Sequence, residues 1–212
     1  MKKLLYTLQF CILIFVFTFT KLYSQVNENY EKALPFSDKE NKLILSGDNK
    51  LPMRVLLTTN VADSLILRTP SNDYDLRTDD PDLDYFIKRL YATVTDTANS
   101  GVGIAAPQVG ILKKIILVQR FDKSGEPIEA YINPKILKYT DKKQDCREGC
   151  LSIPDRRDTT KTRSYAIMLA YDLPDKTHHI EMVEGFTAVI FQHEIDHING
   201  ILYIDRLKEE KE

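Results

Sequence analysis

The chain has 212 residues, 43% of them hydrophobic, and a formal net charge of −2. That length supports one domain with a sizeable core, and the lack of internal repeats excludes a solenoid. With 29 basic residues against 31 acidic ones and no basic cluster, a nucleic-acid partner is not expected.

Residues 1–24, MKKLLYTLQFCILIFVFTFTKLYS, stand apart from the rest. Lys2 and Lys3 precede an uncharged run from Leu4 to Thr20, and Lys21 opens a polar stretch ending at Ser24. This is the layout of a secretory signal peptide with a cut between Ser24 and Gln25, although Leu22 is larger than usual near such a cut. The alternative is an uncleaved anchor, because the run reaches the lower length limit for a membrane span. The expected location is therefore periplasmic or otherwise extracytoplasmic, with membrane contact only through this segment. Loss of its three lysines leaves 26 basic residues against 31 acidic ones, a formal charge of −5. Cys11 lies inside the apolar run and is poorly placed for lipid attachment. Residues 25–50 are polar without a clear period and read as an arm or linker. The domain is expected over 51–207, with a charged tail at 208–212.

Asp80 followed by Pro81 marks a helix start, and Leu83, Phe86, Ile87, Leu90 and Val94 recur at helical spacing through about Asn99. The stretch SGVGIAAPQVG at 100–110 breaks that pattern. Two extended pieces follow, KKIILVQ at 113–119 and YINPKIL at 131–137. YAIMLAYD (165–172) and HHIEMVE (178–184) flank LPDKT and predict a hairpin. On a strand, His178 and His179 point to opposite faces, so neither is a good ligand candidate. A helix follows, in which Phe186, Val189, Ile190, His193 and His197 form an inward stripe while Phe191, Ile195 and Ile198 line the other side. Such a helix is buried nearly all round, and Gly200 suits its C′ position. The closing ILYIDRL reads as a strand. The prediction is an α+β fold of mostly antiparallel sheets packed around a central buried helix.

That helix contains QHEIDH (192–197), in which His193, Glu194 and His197 form H-E-x-x-H. Positions i and i+4 share one helix face, so both imidazoles can bind one ion, with Glu194 beside it to handle a proton. Burying two histidines and a glutamate is costly without a partner such as a cation. Catalytic sites of this kind usually have three protein ligands. The common downstream histidine is missing, because Tyr203 stands at its place. The best upstream candidate is Cys150 in REGCLSIP, whose thiolate is a strong ligand for zinc or iron.

Three stretches together resemble the peptide deformylase family: GVGIAAPQ (101–108), EGCLS (148–152) and QHEIDH (192–197), in the family's order and spacing over roughly residues 51–207. The resemblance implies one divalent metal held by Cys150, His193 and His197. Iron(II) is common in the family, with zinc or nickel as substitutes. It implies Glu194 as general base and acid, with Gln108 and the backbone N–H of Leu151 as oxyanion donors. Gly103 would approach substrate backbone closely, and Val102, Val189 and Ile190 would line a pocket for a methionine side chain or serve only as core residues. Arg157 stands where the family often has a substrate-contacting arginine, with Arg156 and Arg163 as rivals. Glu148 is read as a ligand-orienting residue or a surface charge. The implied activity is hydrolysis of the formyl group from N-formyl-methionyl peptides by a monomer. Alternatives are a related amidase with another N-acyl substrate and a non-catalytic peptide-binding relative. This chain departs from the pattern in its export signal and in the loop DRRDTTK after Pro154. Cys146 and Cys150 also remain together in an oxidising compartment, where a disulfide between them would remove the thiolate ligand.

Overall fold

The computed structural model describes residues 35–97 and 101–209. The expected signal segment 1–24, residues 25–34 of the expected arm and the last three residues of the expected tail lie outside the described residues. Among the described residues, no helix is long and apolar enough to cross a membrane.

Five strands, β1 (Gly103–Ala105), β2 (Ile115–Gln119), β3 (Ile128–Tyr139), β6 (Ala166–Asp172) and β7 (His178–Glu184), form a sheet in the order β1-β2-β3-β6-β7. Every pairing in it is antiparallel. Side chains alternate across such a sheet, and on β2 they serve two cores. Ile115 and Leu117 pack with Phe86, Leu90 and Val94 of α3 (Asp82–Val94). Ile116 and Val118 pack with Ile190, Phe191 and Ile195 of α4 (Gly185–Ile198). Because both faces of β2 are covered, its sequence is an unbroken apolar run rather than an alternating one.

Helix α4 is the buried element that the sequence predicts, since every residue from Thr187 to Ile198 is buried. Phe186 is the exception to its inward stripe. It is 47% exposed at the first turn and packs on Phe121 at a ring separation of 5.4 Å. Gly200 follows α4 at φ +74°, and a Cβ there would lie 2.5 Å from the carbonyl oxygen of Arg68. Only glycine meets both demands. The predicted hairpin is present as β6 and β7, with Asp172 opposite His178 and Tyr171 opposite His179. His178 bonds Asp172 while His179 stacks on Tyr171, so the two histidines diverge as expected.

Four expectations are corrected. The helix predicted to run to about Asn99 ends at Val94, with Thr95 as its cap. The stretch after Pro154 is no loop: β4 (Cys146–Cys150) and β5 (Ile153–Thr160) form a two-stranded sheet of their own. Polar residues hid it, because most of β5 is exposed. The final ILYIDRL is helical, α5 (Tyr203–Glu209), with the Asp205 carboxylate accepting the Leu202 N–H at 2.9 Å. A short apolar run cannot distinguish strand from helix, and this capping contact decides it. Lastly, residues 35–50 are not a linker. They carry α1 (Asp38–Ile44), started by a Ser37–Glu40 capping box and followed in the chain by α2 (Val61–Leu67), and they place Phe36 and Ile44 in the α3 core.

Candidate active site and metal centre

Cys150 ends β4, while His193 and His197 lie one turn apart on α4. One ligand atom from each falls within 4.8 Å of the others, and Cys150 Sγ is 3.2 Å from His197 Nε2. Such a separation suits two ligands each bonded at about 2.0–2.3 Å to one ion. A thiolate and two imidazoles are the donors favoured by zinc and iron(II), so these residues fit a divalent cation. Burial pushes His197 well below its ordinary pKa, leaving the neutral imidazole that ligation requires.

The tautomer of His193 is fixed from behind. Its Nδ1 lies 2.7 Å from Glu148 Oε2, so Nε2 is the nitrogen left available to a cation. Glu148 is itself buried and receives a two-pronged ion pair from Arg163, at 2.8 and 2.9 Å. Thr160 donates a hydrogen bond to the same carboxylate. Burial would raise the Glu148 carboxyl, but the His193 and Arg163 contacts hold it at about 2. Arg163 continues the chain to Asp196, which also holds Arg206 of α5. Tyr203 closes the arrangement, with its ring stacked on His193 at 6.0 Å and its hydroxyl reaching Asp158 at 3.2 Å.

Glu194 stands on the other side of the histidine pair. It is buried, and its Oε2 has no hydrogen-bond partner among the described residues. Burial pushes its carboxyl up to about 7, where a group can both accept and return a proton. Gly103 on the edge strand β1 is pressed against it. A Cβ at Gly103 would lie 2.6 Å from Glu194 Oε1 and 2.9 Å from Ile190 Cγ2. The absent side chain therefore leaves room for the carboxylate. Gln108, from the 3-10 turn Ala106–Val109, is aimed by its own backbone: Oε1 accepts the Ala105 N–H at 2.9 Å. Its amide NH2 is thereby turned toward Ser152 Oγ at 3.2 Å and Cys150 Sγ at 3.7 Å.

The remaining expected residues sort themselves by burial. Leu151 follows Cys150 in the turn into β5, and Val102 precedes β1, partly buried against the α4 core. Val189 and Ile190 are buried on α4. Among the three rival arginines, Arg163 is buried against Glu148, behind His193, and Arg156 is paired with Asp158. Arg157 is exposed on β5 opposite Gly149, where a Cβ would come within 3.1 Å of its side chain. The contacts of Arg163, Thr160 and Tyr203 around these residues are invisible to spacing rules, because none of the three lies on α4, and Asp196, although on α4, acts through its distant partners Arg163 and Arg206. The feared disulfide is excluded by geometry. Cys146 and Cys150 begin and end one extended strand, roughly 13 Å apart at about 3.3 Å per residue, and both are free.

A thiolate and two imidazoles around an H-E-x-x-H helix, beside a buried carboxylate with an unused oxygen, define a metal-dependent hydrolase site. Comparison with known proteins places that class more narrowly. Residues 56–212 match the family model for polypeptide deformylase. A peptide deformylase of Desulforudis audaxviator is 42% identical over 122 residues, covering 57% of this chain and 77% of the relative. One of Leptospira biflexa is 34% identical over 154 residues, covering 69% of this chain and 84% of the relative. Among solved structures, a class I type b peptide deformylase of Acinetobacter baumannii superposes with a TM-score of 0.65 at 30% identity, covering 73% of this chain and 99% of that one. The Thermotoga maritima peptide deformylase gives a TM-score of 0.63 at 33% identity, over 73% and 96% of the two chains. The chain belongs to the polypeptide deformylase family.

Proposed function

We propose that the chain hydrolyses the N-formyl group of formyl-methionyl peptides, releasing formate and a free amino terminus. The observation that carries this reading is the buried Glu194 carboxylate, with one oxygen unpartnered, beside the convergent donors Cys150, His193 and His197. Cys150, His193 and His197 would hold a divalent cation, which would supply Lewis acidity to make a water nucleophile available near neutral pH. Glu194 accepts the proton of the attacking water. As oxygen adds to the formyl carbon, negative charge moves to the former carbonyl oxygen. The Gln108 amide and the Leu151 N–H donate to that oxygen, and removing one such donor typically costs about 3–4 kcal/mol of transition-state stabilisation. Glu194 then delivers its proton to the leaving amine, and the carbon–nitrogen bond breaks.

The peptide lies along the free edge of β1, where Gly103 admits its backbone and Arg157 contacts it from β5. Val102, Val189 and Ile190 contribute the apolar wall for the methionine side chain. An A. baumannii relative of the same fold has been solved with Met-Ala-Ser bound. The ion is iron(II), as the family resemblance implies, with zinc or nickel as working replacements. The chain acts as a monomer.

Formate release from formyl-Met-Ala-Ser by anaerobically purified residues 25–212, loaded in turn with iron, nickel or zinc, tests the activity. Turnover that vanishes in Glu194→Ala while one metal per chain is retained is the expected result. Unchanged turnover in that variant would remove Glu194 as the base. The charge and hydropathy pattern of residues 1–24 further supports export. Amino-terminal sequencing of the protein from a periplasmic fraction should begin at Gln25, and a chain starting at Met1 in the cytosolic fraction would overturn that assignment.

A further inference from the structure

The antiparallel pair β4 and β5 presents two faces. Glu148 and Thr160 bond each other on the buried face, and Cys150 at the end of β4 turns its sulfur to His197. Arg147, Gly149, Arg157 and Thr159 alternate onto the other face, which is exposed. Arg157 lies directly opposite Gly149, and Arg147 opposite Thr159. The two arginines are therefore diagonal neighbours on one face, with Cβ atoms roughly 7 Å apart. Like charges at that distance repel one another, and a single anion between them removes the repulsion.

Arg157 is held by its stem and left free at its head. A Cβ at Gly149 would meet Arg157 Cγ at 3.1 Å and Nε at 3.2 Å, so the side chain lies across the Gly149 backbone in the room that glycine leaves. Among the described residues, neither Arg147 nor Arg157 makes a side-chain hydrogen bond or ion pair. The acids on the buried face are engaged elsewhere, Glu148 by Arg163 and His193, and Asp158 by Arg156 and Tyr203. Asp145 and Asp155, exposed and close in sequence, bond neither arginine. The face therefore offers two guanidinium groups whose donors are unused. It also begins beside the reacting centre, because Gly149 adjoins Cys150.

We propose that Arg147 and Arg157 form a carboxylate clamp, selecting formyl peptides that carry an acidic side chain or a free carboxyl terminus at the third residue. This deepens the deformylase reading, on which it rests, and goes beyond the backbone contact given there to Arg157. An extended peptide advances about 3.3 Å per residue, so its third residue lies roughly 7 Å beyond the formyl-methionine. Arg157 stands a comparable distance from Cys150, about 3.3 Å along β4 and about 4.8 Å across to β5. A guanidinium fork matches the two oxygens of a carboxylate, and two forks on one face can share them. A neutral amide at the same position lacks the charge that draws both.

Equilibrium titration of the metal-loaded full chain with Met-Ala-Glu-amide, Met-Ala-Gln-amide and the free acid Met-Ala-Gln reads the clamp without turnover. Met-Ala-Glu-amide should bind about fivefold tighter than Met-Ala-Gln-amide, a gap that narrows in about 0.5 M salt. Arg147→Gln should remove most of the gap. Its thermal unfolding should match the parent's, because Arg147 is exposed and bonds no described residue. A free acid that shares the gain assigns the clamp to any carboxylate at the third residue, and a gain confined to Met-Ala-Glu-amide assigns it to the side chain. Formate release from formyl-Met-Ala-Gln-amide, measured on the same preparation, tests the hydrolysis separately. Glutamate preference without release would remove the hydrolysis and keep the clamp, whereas release without that preference would remove the clamp alone. Equal binding of the two amides, a gap that Arg147→Gln leaves unchanged, or no binding of any of the three peptides overturns the proposal.

Discussion

Glu148 shows how much one side chain behind a ligand decides. Its carboxylate is shared between His193 and Arg163, so it both orients an imidazole and has its own charge compensated within the protein. Replacing it with alanine removes the partner of His193 Nδ1 and leaves the Arg163 guanidinium buried with one carboxylate fewer. Outer-shell partners of this kind typically change metal affinity 10–100-fold. Competition with a chelator should show Glu148→Ala losing metal by about that factor, and an affinity equal to the parent's would show that His193 needs no such support. Gly103 acts by the opposite means, through an absence, since any side chain there would displace the Glu194 carboxylate or Ile190.

Among the elements, α4 carries the candidate metal donors His193 and His197 together with Glu194, and it is enclosed. Its neighbours bury it from Thr187 to Ile198, and this burial gives Glu194 its raised pKa. The α1 segment shows a different principle, a short helix that holds only by docking. A seven-residue helix is too short to stand alone in water. Its capping box satisfies N-terminal donors, and Ile44, fully buried, fixes it to the α3 core. Arg89 secures its far end by donating to the carbonyl of Ile44 at 3.0 Å. Ile44→Ala should destabilise the protein by about 2–5 kcal/mol, the usual range for such a truncation in a core. Chemical denaturation measures it, and a loss under about 0.5 kcal/mol would return residues 35–50 to the status of a linker.

Across the whole molecule, stability is tied to carboxylates held in their charged form. Asp63 is the clearest case. Hydrogen bonds from Arg54, at 2.8 and 2.9 Å, and from the Leu57 N–H, at 3.1 Å, hold it at about 2. Asp75, Asp122 and Glu181 are also held below their ordinary values by neighbouring arginines, with burial opposing the effect. A pKa depressed in the folded state gives stability that is fully present above the unfolded value, roughly 3.9 for Asp, and is lost as pH falls through the folded one. Asp63→Asn should therefore unfold at a lower temperature than the parent at pH 7, with a gap that closes between about pH 4 and pH 2. Thermal unfolding across that range measures it. A gap of constant size would mean that the loss comes from packing rather than from the charge.

The sequence by itself determined whatever depends on neighbours along the chain. The i, i+4 spacing puts His193 and His197 on one face, the period of two sets the β6–β7 hairpin and parts His178 from His179, and Gly200 marks the end of α4. These follow from the fixed geometry of helix and strand. Cys150 was legible as the best upstream candidate from its thiolate chemistry, a choice that the family resemblance reinforced, although no spacing rule connects it to the histidines. Only the tertiary structure brings Glu148 to His193 and ties Arg163 to both Glu148 and Asp196. It also docks residues 35–50 on the core through Phe36 and Ile44 and makes a helix of Tyr203–Glu209. Each of those outcomes depends on which distant groups are buried together and must satisfy one another's charge and hydrogen bonds. Such pairing is a property of packing in three dimensions, and periodicity along one chain carries no trace of it.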